Sequence, residues 1–177
     1  MKIDLGCGNN KKEGYYGIDV VKTKDSDMVC DLNKGINLDD NSVDEVYSRH
    51  FLEHIEDPLL LFKEIYRVLK PNCKAYIIVP HWSWWGSYTF MHKRFFHSRD
   101  FCFFEKDNPY HYYTNDEFAF KIESIKLAYC TLTEKNTFNR TWNRFFTWLI
   151  NINHCFSENF LLKTIHADEI RLVLRKC

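Results

Sequence analysis

Paired cysteines are missing from this sequence. Its seven cysteines, at positions 7, 30, 73, 102, 130, 155 and 177, are widely spaced, and no Cys-x-x-Cys motif occurs among them. This excludes a zinc ribbon and a thioredoxin-type site. An odd number of scattered cysteines also disfavours a disulfide framework, so we expect a reducing, cytoplasmic environment.

Excess charge of either sign is missing as well. Lys and Arg together number 24, as do Asp and Glu, so the formal net charge is zero. Without a basic field to attract nucleic acid, we expect no nucleic-acid partner. No apolar run approaches the roughly 20 residues that span a bilayer, and the N-terminus leads into a predicted strand rather than a signal peptide. We therefore expect one soluble globular domain over residues 1–177.

Glycine is scarce, with 6 residues in the chain, yet two of them stand in one short motif near the N-terminus. Lys2–Leu5 predicts a strand, Gly6-Cys7-Gly8 a turn, and Tyr15–Asp19 a second strand that ends in an acid. Glycines let the backbone approach a ligand closely, and a carboxylate accepts hydrogen bonds from ribose hydroxyls. The motif therefore predicts a nucleoside-binding site.

The motif lacks the third glycine of the dinucleotide fingerprint, because Lys11 stands at that position. Asp19 follows Gly8 by 11 residues, against the roughly 20 of an NAD-binding unit. No Gly-Lys-Ser/Thr sequence of a P-loop occurs either. NAD and nucleoside triphosphates are both disfavoured as ligands.

The remaining elements alternate between strands and helices. Asp57-Pro58 begins a helix that Lys70-Pro71-Asn72 ends, and residues 81–113 are rich in aromatic side chains without a clear period. Strands are predicted at Met28–Leu32, Ser42–Ser48, Lys74–Pro80, Ile122–Leu132 and Glu169–Arg175, and helices at 115–121 and 138–152. We expect an α/β fold: a Rossmann-like, doubly wound, mostly parallel sheet, with ligands at the carboxyl ends of the strands.

Five motifs together resemble class I S-adenosylmethionine-dependent methyltransferases, in particular the small type 11 methyltransferase domain. They are Asp4–Asn10, Gly17–Asp19, Asp31-Leu32, Phe51–Ile55 and Arg67–Pro71, in the order and spacing of that family. The resemblance covers residues 2–80 and the final strands. It implies S-adenosylmethionine as cofactor and S-adenosylhomocysteine as product, with residues 1–80 as the cofactor half and 81–177 as the substrate half.

The resemblance also implies which residues touch the cofactor. The implied set is Asp4, Gly6, Cys7, Gly8, Asp19, Val20, Asp31, Leu32, Ser48, Arg49 and His50. Asp4 and the glycine turn would hold the methionine end, Asp19 the ribose hydroxyls, and Asp31 with Leu32 the adenine. Residues 48–50 would touch the methionine portion from the other side. Two departures are Asn10 in place of the family's third glycine and the absence of the usual helix before the first strand.

His50-Phe51-Leu52-Glu53-His54 also reads as H-x-x-E-H, an inverted zinc-protease motif. That chemistry needs both histidines on one face of a continuous helix. Here the run follows a strand, and a new helix begins at Asp57. We therefore expect no metal site from this motif and keep zinc hydrolysis only as a minor alternative.

The candidates for acceptor chemistry follow the fifth strand. Histidine is the natural base near neutral pH, and we rank His81 first and His92 second; a structural hydrogen-bonding role is the alternative for each. For acceptor binding we single out Trp82, Trp85, Tyr88, Lys93 and Arg94. The two basic residues could pair with an anionic group on the acceptor or simply be solvated.

The helix at 138–152 carries an apolar stripe, at Phe138, Trp142, Phe145, Phe146, Leu149 and Ile152, and opposite it a polar stripe, at Asn139, Arg140, Asn143, Arg144, Thr147 and Asn151. Three interpretations stay open: a lid over the acceptor cleft, which we favour, a dimer contact, or weak docking on a membrane surface. The function that we predict is methyl transfer to O or N of a small or medium-sized acceptor, such as a saccharide or a lipid-linked metabolite, by a monomer or homodimer. The main alternative is a cofactor-binding module without catalysis.

Overall fold

The structure, a computed structural model, describes residues 1–114, 118–129, 137–163 and 165–177. The strands are β1 (Lys2–Leu5), β2 (Tyr16–Asp19), β3 (Met28–Val29), β4 (Val43–Arg49), β5 (Leu69–Pro80), β6 (Phe120–Ala128) and β7 (Glu169–Lys176). The α-helices are α1 (Pro58–Val68), α2 (Thr137–Asn151) and α3 (His154–Asn159). Short 3₁₀ helices occupy Leu52–His54, Trp85–Tyr88, Ser98–Phe104, His111–Thr114 and Leu161–Lys163.

All seven strands form one sheet in the order β3-β2-β1-β4-β5-β7-β6. The pairs β1/β2, β2/β3, β1/β4 and β4/β5 are parallel, and β7 is antiparallel to both β5 and β6. The strand order reverses between β1 and β4, and open α/β sheets bind ligands at such a switch point, outside the carboxyl ends of the strands. The predicted mostly parallel, Rossmann-like sheet is confirmed.

Helix α1 forms where its sequence signals predicted it. Pro58 occupies the first turn, and the Asp57 side chain accepts hydrogen bonds from the backbone N–H groups of Leu59 and Leu60. Its inner face is apolar and packs into the core through Leu61, Phe62, Ile65 and Val68. The helix ends at Val68, and β5 begins at Leu69, five residues before the predicted strand start at Lys74.

The two faces of the sheet differ in character. One face is apolar and buried, and is represented by Leu5, Val46 and Ile77. The other carries charged side chains in register, such as the Lys2–Glu45 ion pair at 3.4 Å and the Lys74–Glu123 pair at 2.6 Å. Within residues 1–57, all of which are described, no α-helix connects β1, β2, β3 and β4. On that face Tyr15 and Lys12 pack against the ring of Tyr47, where a helix layer would otherwise pack.

Two predicted boundaries need correction. Phe118 and Ala119 are not helical and Phe120 already begins β6, so the helix predicted at 115–121 is wrong at 118–121; residues 115–117 lie outside the described residues. The strand predicted at Ile122–Leu132 begins at Phe120 and ends at Ala128, while 130–132 lie outside the described residues. Backbone pairing with β7 from Phe120 to Ala128 sets these bounds.

Candidate cofactor and acceptor site

The turn after β1 needs its glycines for conformational reasons. Gly6 and Gly8 have φ values of +68° and +52°, in the left-handed region that L-residues with a side chain disfavour. A side chain at Gly6 would also overlap the ring of Phe51, whereas the space beside Gly8 is open. The backbone N–H of Gly6 donates to the carbonyl of Ile18 at 2.8 Å, which joins this turn to β2.

A cavity of about 320 Å³ opens beside this turn. It is lined by Asp4, Gly6, Cys7, Asn10, Lys11, Lys12, Tyr47, Arg49 and His50. The set contains five of the predicted cofactor residues, drawn from β1, its turn and the carboxyl end of β4. The cavity therefore lies at the switch point of the sheet.

Two carboxylates frame the turn. Asp19 accepts hydrogen bonds from the backbone N–H of Gly8 at 2.9 Å and from that of Val21 at 3.0 Å, one on each oxygen. An ionised carboxylate has about four acceptor sites, so both oxygens of Asp19 keep capacity for ribose hydroxyls. Asp4 accepts the backbone N–H of Lys12 at 2.8 Å, and its burial raises its pKa. Val20, which directly follows Asp19 at the end of β2, is 58% exposed.

The predicted adenine residues lie apart from that cavity. Asp31 lines a different cavity, together with Lys34 and Glu64, and binds the backbone N–H and the side chain of Asn33. These hydrogen bonds, with Lys34, lower the pKa of Asp31. The Leu32 side chain is buried in the core. The Leu32 side chain is therefore not exposed to a ligand, and neither Asp31 nor Leu32 lines the cavity beside the Gly6–Gly8 turn.

The carboxyl end of β4 is joined to the last strand by ion pairs. Arg49 Nη2 and His50 Nε2 each lie 2.9 Å from Glu169 Oε1, the first residue of β7. Burial would lower the pKa of His50, but the carboxylates of Glu169 and Glu53 outweigh it and raise that pKa to about 9. Ser48 is buried, and its hydroxyl donates to the Leu5 carbonyl at 3.2 Å. Sequence reasoning missed Glu169, for which the only signal is a single acid at the start of a strand of apolar and basic residues.

His81, the first-ranked candidate base, is completely buried. Its Nδ1 lies 2.8 Å from Ser83 Oγ and its Nε2 lies 3.2 Å from Glu158 Oε1 on α3. Burial lowers the pKa of His81, against the opposing effect of Glu158. The Ser98 backbone N–H donates to the same Glu158 oxygen at 2.7 Å. Both ring nitrogens of His81 are therefore engaged. The residue joins α3 to residues 81–113, the segment predicted to bind the acceptor and called the acceptor-side segment below.

His92, the second candidate, keeps one ring nitrogen available. Its Nδ1 lies 2.9 Å from the Ser87 carbonyl, while its Nε2 lies 3.9 Å from Glu53 Oε1, beyond hydrogen-bond distance. Lys93 pairs with Glu56, and Arg94 donates to the carbonyls of Ile55 and Glu56. These two cations therefore anchor the acceptor-side segment to the loop before α1.

The predicted aromatic contacts divide into two groups. Trp82 stacks on His97 with 5.2 Å between ring centroids, so this tryptophan packs against another residue of the acceptor-side segment. Trp85 and Tyr88 are instead 76% and 61% exposed. They continue into an exposed apolar surface with Phe90, Met91 and Phe95, next to Trp84, whose ring contacts His50. This surface lies on the acceptor side of the candidate cofactor cavity.

Helix α2 contacts the domain largely through its polar side. Asn143 and Ile150 are buried, and the Asn151 side chain binds the backbone N–H and carbonyl of Leu127 at the edge strand β6. The apolar side chains of α2 and α3 instead face outward, with 46–63% exposure at Trp142, Phe145, Trp148, Ile152, Phe156 and Phe160. Phe138, Asn139 and Arg140 belong to the predicted stripes, but their side chains lie outside the described residues.

The motif H-x-x-E-H is not on a continuous helix. His50 precedes the 3₁₀ helix Leu52–His54, and α1 begins four residues after that helix ends.

No helix in the described parts of the chain has the length and apolar character that crossing a membrane requires.

Comparisons with known proteins agree with this geometry. Residues 3–77 match the family described as Methyltransferase domain, type 11. No curated relative matches the chain in sequence. Among solved structures, the chain is similar to an S-adenosylmethionine-dependent methyltransferase from Archaeoglobus fulgidus, with TM-score 0.60, 19% identity, and coverage of 99% of this chain and 85% of that chain.

Two further solved structures widen the comparison. A methyltransferase from Mesorhizobium loti matches with TM-score 0.57 and 15% identity over 99% of this chain and 90% of that chain. The protein SpnF, described as a [4+2]-cyclase, matches with TM-score 0.57 and 15% identity over 99% of this chain and 74% of that chain. Likeness at these identities shows the fold, and the same fold serves more than one reaction.

Proposed function

The chain has the fold of class I S-adenosylmethionine-dependent methyltransferases and matches their methyltransferase domain over residues 3–77, and on that premise we propose that it methylates an oxygen or nitrogen of a small or medium-sized acceptor. Family and fold imply S-adenosylmethionine as cofactor. The observation that carries the proposal is the cavity beside the Gly6–Gly8 turn, at the switch point of the sheet. Residues 1–80 form its cofactor half and 81–177 its acceptor half.

In this proposal the residues around the turn hold the cofactor by its polar groups. Gly6, Cys7 and Gly8 bring backbone close to the methionine end, Asp4 supports the turn through Lys12, and Asp19 accepts the ribose hydroxyls. Arg49 and His50 approach from β4. Asp31 and Leu32 remain candidates for the adenine end through a hydrogen bond and backbone contact.

When bound, S-adenosylmethionine would supply a sulfonium methyl group with a good leaving group, so that a bond from the acceptor atom to the methyl carbon would form as the carbon–sulfur bond breaks and the electron pair of that bond stays on sulfur. The protein's work is then alignment and, for a hydroxyl or protonated amine, removal of one proton. Of the two predicted bases, His81 has both ring nitrogens engaged and positions residues 81–113, whereas His92 keeps a ring nitrogen that makes no hydrogen bond within the described residues and that faces Glu53.

The outward-facing side of α2 and α3 supports a lipid-linked acceptor. In residues 137–163 the only acidic residue is Glu158, which is buried, while Arg144 and Lys163 are exposed beside the aromatic side chains. An apolar aromatic face flanked by basic residues is the pattern of a helix that lies on an anionic membrane surface. Glu158 on α3 also binds His81 and Ser98, so the element that carries part of this surface packs against residues 81–113. We propose that it docks on anionic lipid.

The deciding experiment is a calorimetric titration of the purified chain with S-adenosylmethionine, S-adenosylhomocysteine and NAD, followed by an assay of S-adenosylhomocysteine release with lipid and saccharide fractions. We expect binding of the first two ligands, no binding of NAD, and release with a lipid-linked fraction. Failure to bind S-adenosylmethionine would overturn the proposal. Binding without release in any fraction would favour the cofactor-binding module that does not catalyse.

A further inference from the structure

The motif His50–His54 that resembled a zinc-protease signature contributes to a different cluster of side chains. Glu53 and His54 come from the 3₁₀ helix Leu52–His54, and His92 comes from the loop that follows Tyr88. One ligand atom from each of these three residues lies within 4.8 Å of the other two. The rings of His54 and His92 face each other edge-on, with centroids 4.9 Å apart.

The carboxylate of Glu53 is buried and lacks hydrogen bonds. The residue has no solvent exposure, and neither of its oxygens accepts a hydrogen bond within the described residues. The nearest ring nitrogens are His50 Nδ1 at 3.6 Å and His92 Nε2 at 3.9 Å, both beyond hydrogen-bond distance. Burying a carboxylate is costly unless it is paired or coordinates a metal. Glu53 faces His50 without a hydrogen bond, so both of its oxygens keep the capacity to bind a cation on the side of His54 and His92.

Both histidines are held in the tautomer that a metal ligand needs. His54 Nδ1 lies 3.0 Å from the Met91 carbonyl, and His92 Nδ1 lies 2.9 Å from the Ser87 carbonyl. Because a carbonyl oxygen only accepts, each Nδ1 carries the hydrogen, and in the neutral ring Nε2 keeps its lone pair. A backbone carbonyl on the far nitrogen is the usual outer partner of a histidine that binds a metal.

We propose that Glu53, His54 and His92 bind one divalent transition-metal ion. Two imidazoles and one carboxylate suit Zn²⁺ or Fe²⁺ and fit poorly with Mg²⁺ or Ca²⁺, which prefer oxygen ligands throughout. Ligand atoms around tetrahedral zinc lie about 3.3 Å apart for bonds of about 2.0 Å. With ligand atoms up to 4.8 Å apart and His92 Nε2 3.9 Å from Glu53 Oε1, the side chains of both histidines would have to move towards Glu53 to reach that spacing.

The backbone already joins the two segments that would share the ion. The N–H of Lys93 donates to the Glu53 carbonyl at 2.8 Å, so the loop bearing His92 is fixed against the 3₁₀ helix. Three protein ligands leave at least one coordination position open. His50, which lines the candidate cofactor cavity, is next to Glu53. The use of the open position for an acceptor oxygen rests on the proposed function, whereas the metal binding itself does not.

The test uses the full chain without a histidine tag, stripped with a chelator and titrated with Zn²⁺ and Mg²⁺ in a calorimeter. We expect one equivalent of Zn²⁺ and no measurable Mg²⁺ binding. Co²⁺ provides an independent readout, because its visible absorption reports the coordination of the ion. The melting temperature should rise when Zn²⁺ is added, since a ligand that binds only the folded state stabilises it.

Glu53→Gln keeps the shape of the side chain but loses its charge, and His54→Gln removes a ligand at a partly exposed site where folding is at little risk. Each should weaken Zn²⁺ affinity at least about 10-fold, whereas His154→Gln, a matched change on α3, should leave it unchanged. Substoichiometric Zn²⁺ in the wild-type chain, or unchanged affinity in His54→Gln, would overturn the site. S-adenosylmethionine binding by the stripped chain separates that failure from failure of the proposed function.

Discussion

Glu169 Oε1 lies 2.9 Å from His50 Nε2, although 119 residues separate the two in sequence. The contact joins the carboxyl end of β4 to the first residue of β7 and is shared with Arg49. It fixes the wall of the candidate cofactor cavity to β7, which is antiparallel to β5. The geometry of the cavity therefore depends on the last strand as well as on the N-terminal motif.

This contact predicts a loss of stability in acid. Burial opposes ionisation of Glu169, but hydrogen bonds from His50, Arg49 and Arg171 outweigh it and hold its pKa at about 2, below the ordinary 4.5. A carboxyl with a lowered pKa stabilises the fold above the unfolded value and loses that effect as pH falls from 4.5 towards 2. We expect about 2 kcal/mol from this group, measured by guanidinium unfolding between pH 3 and pH 7.

The matched variants for the acid prediction are Glu169→Gln and Glu123→Gln. The first should flatten this part of the pH dependence and lower the free energy of unfolding at pH 7, because three cations lose their shared partner. Glu123 lies in an ion pair on the solvated sheet face, so its substitution should change stability little. An unchanged pH dependence in Glu169→Gln would contradict the assignment.

The cofactor proposal predicts that substitution of Asp19 weakens S-adenosylmethionine binding. Asp19→Asn can still accept the Gly8 N–H but offers ribose hydroxyls a weaker acceptor, and we expect S-adenosylmethionine affinity to fall about 10-fold or more. Asp31→Asn, in the separate cavity, tests the adenine assignment. Calorimetry with S-adenosylmethionine measures both. Equal affinity in Asp19→Asn and wild type would refute the placement of the ribose.

The glycine turn predicts unequal effects of alanine. Gly6→Ala adds left-handed strain and a clash with Phe51, whereas Gly8→Ala adds strain alone. Left-handed backbone costs about 1–2 kcal/mol for a residue with a side chain, and forced overpacking adds about 1–3 kcal/mol. Denaturant unfolding should show the larger loss in Gly6→Ala. Similar losses in the two variants would argue against the close packing of Phe51.

The buried contact between His81 and Glu158 predicts that substitution of His81 lowers the stability of the fold rather than removing a catalytic base. His81→Gln leaves Glu158 with fewer hydrogen bonds in a buried site, and removing one member of such a pair typically costs about 3 kcal/mol. Thermal and denaturant unfolding measure the loss, with His154→Gln on α3 as the control. A stable His81→Gln protein that binds cofactor but releases no S-adenosylhomocysteine would restore His81 as the base.

The outward aromatic surface of α2 and α3 predicts vesicle binding. The double variant Trp148→Ser and Ile152→Ser removes two exposed apolar side chains without touching Asn151 or Ile150, which face β6. We expect co-sedimentation of wild type with phosphatidylserine-containing vesicles, a clear loss in the double variant, and normal binding by Val29→Ser, an exposed position on β3. Concentration-dependent dimers without vesicle binding would support the homodimer interpretation instead.

Local signals in the sequence were enough for the elements of residues 1–80. The strand, the left-handed glycines and the acid at Asp19 follow from steric rules and short-range hydrogen bonds, and α1 follows from the Asp57 cap and Pro58. The mostly parallel sheet followed from the alternation of elements. These features depend on residues close together in the chain, so a single sequence carries them.

Long-range packing decided the rest. Composition could not tell that His81 would be buried against Glu158, or that Glu169 would meet His50, because those partners come from distant elements. It also could not choose which side of α2 faces the domain, since an apolar stripe suits a core, a dimer or a lipid surface equally well. The sequence by itself determined the sheet and the glycine turn; tertiary structure decided which titratable groups meet and which aromatic side chains stay exposed.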